Sequence, residues 1–201
     1  MKIVLRDITK RFIKSNVLDH INYQFELGKV YGINGANGTG KSTLLKIISG
    51  AMVPSAGKLE YYLTDQEIAD SEIYKYISYY ASGDELIEEF SPREVFHHVK
   101  KYKTQKSKFQ SFIKFVDLVK EADQLIETFS SGMKQRLALG LVLNSENPIL
   151  LMDEPVTFLD EHKKSWFYEH LNLLKTKGEK LIIIASNEPD DFKLCDEIIN
   201  I

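Results

Sequence analysis

The sequence predicts an α/β protein with a mostly parallel sheet, an N-terminal antiparallel β-subdomain and a helical lobe inserted into the core. Three observations carry this expectation. Near the N-terminus, Ile3 and Leu5, then Ile21, Tyr23, Phe25 and Leu27, recur with the two-residue period of half-buried strands. Ile149 to Met152 and Leu181 to Ala185 are unbroken apolar runs, as parallel strands require when helices cover both faces. The middle of the chain instead carries the helical period: Phe109, Phe112, Ile113 and Val116 fall at i, i+3, i+4 and i+7.

In chain order, the alternating N-terminal segment predicts an antiparallel sheet before Gly28. Val30 to Ile33 is a short strand, followed by a glycine-rich stretch and a helix over Ser42 to Ser49 that closes at Gly50. Pro54-Ser55-Ala56-Gly57 is a turn cluster, with further strands at Leu59 to Leu63 and Ile77 to Tyr80. Ser91-Pro92-Arg93-Glu94 combines a Ser N-cap, a Pro at the first helical position and a Glu at the third, so a capping box opens a helix to about Tyr102. A second helix runs from Phe109 to about Lys120, and the lobe spans about 82–128. Beyond it come a helix from Gly132 to Leu143, a strand at Ile149 to Met152, a helix from Asp160 to Thr176, a strand at Leu181 to Ala185, and a last strand near Ile201.

Composition narrows the function. A chain of 201 residues, 43% hydrophobic and 27% charged, is expected to form one domain over 1–201. Lys+Arg 26 against Asp+Glu 29 leaves a net charge of -3, which disfavours a nucleic-acid partner. The single cysteine, Cys195, cannot form an internal disulfide, and no charged-then-apolar leader is present, so a cytoplasmic location is expected. No apolar run approaches the roughly 20 residues that span a bilayer.

The chemistry begins at Gly35-Ala36-Asn37-Gly38-Thr39-Gly40-Lys41-Ser42, which matches G-x-x-x-x-G-K-[ST] between a strand and a helix. This is the phosphate-binding loop of a P-loop NTPase core. Its backbone N–H groups and the helix N-terminus converge on phosphate oxygens; Lys41 reaches the β- and γ-phosphates, and the Ser42 hydroxyl, beside Thr43, can ligand Mg2+. Asp153 emerges at the carboxyl end of an apolar strand, where it can hold the metal, and Glu154 is the candidate base for the attacking water. ATP and Mg2+ are the expected ligands.

Phe129-Ser130-Ser131-Gly132-Met133-Lys134-Gln135-Arg136 resembles the signature of ATP-binding cassette (ABC) ATPases, usually L-S-G-G-Q-x-Q-R, and it precedes the Asp153 strand as in that family. Glu154-Pro155-Val156-Thr157-Phe158-Leu159-Asp160 is similar to the family's segment that ends in Leu-Asp. Phe12 falls where the family places an aromatic that stacks on adenine. Ser130, Ser131 and Gly132 at a helix start form a second anion site, which one nucleotide in one chain does not need. The resemblance implies a head-to-tail dimer in which this segment and Asp160 close on the other copy's nucleotide. It also implies a separate transmembrane permease, which holds the chain on the inner face of the membrane.

Two positions depart from the family pattern. Ser82 stands where the family carries a Gln that contacts metal and water, and a water or Asp84 is the candidate to fill the gap. Asn187 stands where a His contacts the γ-phosphate, and Asn donates one neutral hydrogen bond without becoming cationic. The binding groups are whole and the catalytic set is weakened. The expectation is therefore a slow or partner-dependent ATPase that powers a transporter, with a nucleotide-gated subunit of little hydrolysis as the alternative. The Met133-Lys134-Gln135-Arg136 variant resembles export-type bacterial systems. His97, His98, the lysines from Lys100 to Lys108 and the tyrosines of Tyr61 to Tyr80 read as packing, connector and strand residues.

Overall fold

The computed structural model describes residues 1–13, 15–82, 86–157 and 159–201. Strand β1 (Lys2–Phe12) pairs antiparallel with β2 (Ser15–Glu26), placing Ile3 opposite Phe25. The other edge of β1 does not stay free. After β3 (Val30–Asn34) and helix α1 (Lys41–Ile48), the chain returns as β4 (Ala56–Leu63) and β5 (Gln66–Ile68), giving the order β2-β1-β4-β5. The antiparallel sheet therefore extends beyond the segment before Gly28. Pairing of Tyr61 with Ile3 continues the same apolar face, and local alternation does not say which strand will supply that pairing.

The second sheet is parallel throughout. It contains β3, β6 (Ile77–Ala81), β7 (Ile149–Asp153), β8 (Leu181–Ser186) and β9 (Glu197–Asn200), in the order β6-β7-β8-β3-β9. Alternate residues of each strand serve two cores. Leu151, Ile183 and Ile33 pack with Leu44, Leu45, Ile47 and Ile48 of α1 against the antiparallel sheet. On the opposite face, Leu150, Met152, Ile182 and Ile184 meet α4 (Ser131–Leu143) and α5 (Glu161–Lys177) through Leu139, Leu143, Phe167 and Leu171. Each such side chain contributes about 1.5–3 kcal/mol by leaving water.

A third apolar cluster joins α2 (Pro92–Lys100), α3 (Phe109–Phe115) and α4 through Phe96, Phe112, Ile126 and Leu137. The capping box at Ser91 and Glu94 is formed in both directions. Helix α2 ends at Lys100 rather than Tyr102, and α3 ends at Phe115, well short of Lys120. The second difference has a visible cause. Asp117 takes a left-handed conformation, φ 50°, its N–H bonds to the Lys114 carbonyl, and the Leu118 N–H bonds to the Ile113 carbonyl. That pattern satisfies the last helical carbonyls and turns the chain.

Candidate nucleotide site

The parallel register aligns the strand ends that carry the site. Ala81, Asp153 and Ala185 are paired neighbours across β6, β7 and β8, and β3 ends beside β8 with Asn34 opposite Ser186. Ser82, Asp153, Glu154, Asn187 and the loop of Gly35 to Gly40 therefore all leave the carboxyl edge of one sheet. The Ser82 N–H donates to the Asp153 carbonyl at 3.0 Å, and the Glu154 N–H donates to the Ala185 carbonyl at 2.8 Å. Asp84 lies outside the described residues.

The loop is shaped at Gly40 by a close approach of β2. Gly40 has φ 111°, and a Cβ there would meet Val17 Cγ1 at 2.8 Å and the Val17 carbonyl at 2.9 Å. The backbone of β2 thus presses directly on the loop where α1 begins. Thr39 closes the turn by donating through both its N–H and its hydroxyl to the Ala36 carbonyl. Lys41 is buried, its ammonium donating to the carbonyls of Gly35 at 2.7 Å and Ala36 at 3.3 Å.

Glu154 faces this ammonium, with Oε1 3.7 Å from Lys41 Nζ. Burial pushes the Glu154 carboxyl above its usual range; Lys41 opposes the rise and Asp153 adds to it. Glu154 also has φ 50°, an uncommon conformation for a residue other than glycine. Asp153, the last residue of β7, is buried at 5% exposure. An open cavity of 360 Å³ is lined by Val17, Asn37, Gly38, Gly40, Lys41, Ser42, Thr43 and Glu154. Asn187 reaches its rim, donating from Nδ2 to Asn37 Oδ1 at 3.2 Å.

Other candidates lie elsewhere. Phe12 ends β1, half exposed, with Lys10 Nζ 5.4 Å from its ring. Ser130 caps α4 by accepting from the Met133 N–H, and Ser131 and Gly132 open that helix. Asp160 caps α5, accepting from the Lys163 N–H at 3.0 Å and pairing with its ammonium, which holds the carboxyl below its usual range. None of these five lines the phosphate cavity. Phe158 lies outside the described residues.

Sequence reasoning missed three contributors. Val17 sits in a strand with no motif, and its role follows from the hairpin folding back onto the loop. Thr157 hydroxyl lies 3.4 Å from Glu154 Oε2, and Gln135 Nε2 donates to the Pro155 carbonyl at 2.7 Å, tying α4 to the segment after Glu154. Ser/Thr three residues after an acid is a local turn signal that could have found Thr157. His97 and His98 of α2 instead pack on rings: His97 on Phe96 and Phe109, His98 on Phe90 and Tyr102.

A glycine loop between a parallel strand and a helix, with a lysine held inside it and acids at the end of the next strand but one, defines a nucleotide-binding protein of the P-loop class. The ABC transporter family matches residues 18–157, and the chain belongs to that family. It is 32% identical over 199 residues to an uncharacterized ABC transporter ATP-binding protein, YybJ, of Bacillus subtilis, covering 94% of this chain and 88% of that one. It is 31% identical to the Nod factor export ATP-binding protein I of a Rhizobium species, covering 96% of this chain and 66% of that one. Among solved structures, an ATP-binding subunit of an ABC transporter superposes with TM-score 0.87 at 22% identity, covering 100% of this chain and 86% of that one. A dimeric ATP-binding cassette in a post-hydrolysis state with ADP and phosphate superposes with TM-score 0.85 at 23% identity, covering 99% and 94%. These two likenesses concern the fold. The chain is an ATP-binding subunit of the ABC transporter family and an ATPase. No helix among the described residues is long and apolar enough to cross a membrane.

Proposed function

We propose that this chain hydrolyses ATP to power an ABC exporter, as one of two cassettes that close on ATP and reopen after hydrolysis. The observation that carries this reading is the meeting of Lys41, Ser42 and Glu154 around one cavity, with Asn187 bound across to Asn37 at its rim. Residues 1–201 act as one nucleotide-binding domain with the lobe of about 82–128 inserted. The triphosphate lies along Gly35 to Gly40, with Lys41 turned from its carbonyl partners onto the β- and γ-phosphates, Thr39 and Thr43 flanking, and Phe12 against adenine.

Ser42 and Asp153 would hold Mg2+, since a hydroxyl with a carboxylate suits this oxygen-seeking ion, which would supply charge neutralisation at the phosphate oxygens. Glu154 orients the attacking water and accepts its proton, a task favoured by the upward shift that burial gives its carboxyl. Asn187 donates to the γ-phosphate, and Ser82 approaches from the β6 end. Ser130, Ser131, Gly132 and Asp160 serve the nucleotide of the second cassette, in a homodimer or a heterodimer.

The export direction rests on the Met133-Lys134-Gln135-Arg136 variant and on the rhizobial relatives named for Nod factor export. A separate permease would hold the chain on the inner face of the membrane. A groove between β6 and the helices of the lobe, lined by Tyr79, Leu86, Val99, Lys103 and Leu141, suits its docking. The test is phosphate release with Mg-ATP beside direct ATP binding. Glu154→Gln is expected to abolish turnover and keep binding, and Lys41→Ala to lose binding. Wild-type binding without turnover overturns autonomous hydrolysis, and adding the membrane subunit then separates a partner-activated enzyme from a nucleotide-gated one.

A further inference from the structure

Behind the turn that carries Asn187 stands an acid that none of the steps above uses. We propose that Asp191 is a positioning residue for Asn187, holding the turn after β8 so that Asn187 distinguishes a nucleoside triphosphate from a diphosphate. This rests on the role given above to Asn187.

The turn is built from three bonds. Ser186 is fully buried at the end of β8, and its hydroxyl oxygen accepts the Glu188 N–H at 3.0 Å, bracketing Asn187 between them. The Asp191 N–H donates to the Glu188 carbonyl at 3.2 Å. Tyr168, from α5, donates its hydroxyl to Asp191 Oδ1 at 2.8 Å. Asp191 is 1% exposed, and its Oδ2 is buried with no hydrogen-bond partner among the described residues. Burial pushes the Asp191 carboxyl above its usual range, and the Ser186 side chain and Tyr168 oppose that rise.

A buried carboxylate with one oxygen unserved costs stability. The surroundings do not require it, because Tyr168, Leu194 and Cys195 pack on the adjoining apolar core, where an aliphatic residue would serve. What the acid supplies is direction. It joins α5 to the turn, and the turn delivers Asn187 to Asn37 of the phosphate loop. Because α5 starts at Glu161, capped by Asp160 of the segment that follows Glu154, the same link ties Asn187 to the helix that the acidic strand end leads into.

The test is equilibrium binding, with Mg2+, of ADP and of the non-hydrolysable imido analogue of ATP, read as the ratio of the two affinities. Asn187→Ala is expected to lower the preference for the triphosphate about tenfold, the scale of one hydrogen bond to a charged group. Asp191→Asn and Tyr168→Phe should each lower it by about three- to tenfold, with ADP affinity within about twofold of wild type. In the Asn187→Ala background, Asp191→Asn should add nothing. A loss that falls equally on both nucleotides, no loss in either variant, or a full second loss in the Asn187→Ala background overturns the proposal. If Asn187→Ala alone leaves the ratio unchanged, the role of Asn187 fails and this inference fails with it. Should Asp191→Asn not fold, Tyr168→Phe removes only a hydroxyl and is judged by the same outcomes.

Discussion

Asn187, in the turn after β8, is the residue that the family resemblance sets in place of a His. Its amide bonds to Asn37 but brings no positive charge, whereas an imidazole there could donate from either ring nitrogen and become cationic. Asn187→His is therefore expected to raise kcat by about tenfold, by adding charge where the γ-phosphate leaves. The check is the phosphate-release assay; an unchanged or slower rate would mean that the Asn37 contact is itself required. Glu154 shows a different kind of commitment, because its left-handed backbone is a conformation that persists where the surroundings over-determine it. Far from the site, Lys180 is buried, and burial together with nearby Lys106 pushes its pKa down to about 8. The unfolded chain then holds a proton that the folded chain lacks between about pH 8 and about pH 10.4, so Lys180 makes stability rise with pH across that window. Lys180→Met should remove this rise, seen as a flatter plot of melting temperature against pH, and should leave the protein as stable as wild type or more so at pH 7, where the wild type carries a buried charge bonded to the Asn147 carbonyl. A wild-type melting temperature that stays level from pH 8 to 10 would refute the assignment.

Among the elements, α4 bears the closest packing. A Cβ on Gly140 would lie 2.1 Å from Val116 Cγ1, at the point where α3 has just ended. Gly140→Ala should destabilise by up to about 2 kcal/mol in urea unfolding, the overpacking outweighing the roughly 1 kcal/mol that alanine gains in a helix. Val116→Ala opens a cavity, so the double variant should lose less than the two single losses added together. Simple additivity would show that the contact is relieved by backbone movement instead. This contact was not legible in the sequence, which reads as a helix to about Lys120; the left-handed turn at Asp117 ends it sooner. The start of α2 was legible because Ser91, Pro92 and Glu94 signal a helix within four residues. The same division holds at the site. The phosphate loop, Asp153 and Glu154 are contiguous segments whose chemistry is local. Val17 against Gly40 and Asn187 against Asn37 join distant segments, the second across 150 residues, so neither leaves a pattern along the chain.

On the scale of the whole molecule, the strand order β6-β7-β8-β3-β9 gathers four separate loops at one edge, although their sequence positions run from Gly35 to Asn187. Placing β8 between β7 and β3 is what sets Asn187 beside the phosphate loop and gives the Glu154 N–H its bond to Ala185. The start of α4, proposed above to serve a second nucleotide, does not join this gathering, since Ser130, Ser131 and Gly132 are absent from the lining of the phosphate cavity. A second copy arranged head to tail would complete both sites at once, because a symmetric pair supplies each cavity with the other's helix start. Such a pair should form only with a triphosphate and persist only when hydrolysis is blocked. Glu154→Gln with Mg-ATP is therefore expected to sediment at twice the monomer mass and to return to monomer mass with ADP. Ser130→Arg, which places a long cation at the helix start without touching the phosphate cavity, should keep ATP binding and abolish the dimer. Dimers that survive this substitution, or that form equally well without nucleotide, would remove the second cassette's α4 from the site and leave the phosphate cavity to be completed by another partner.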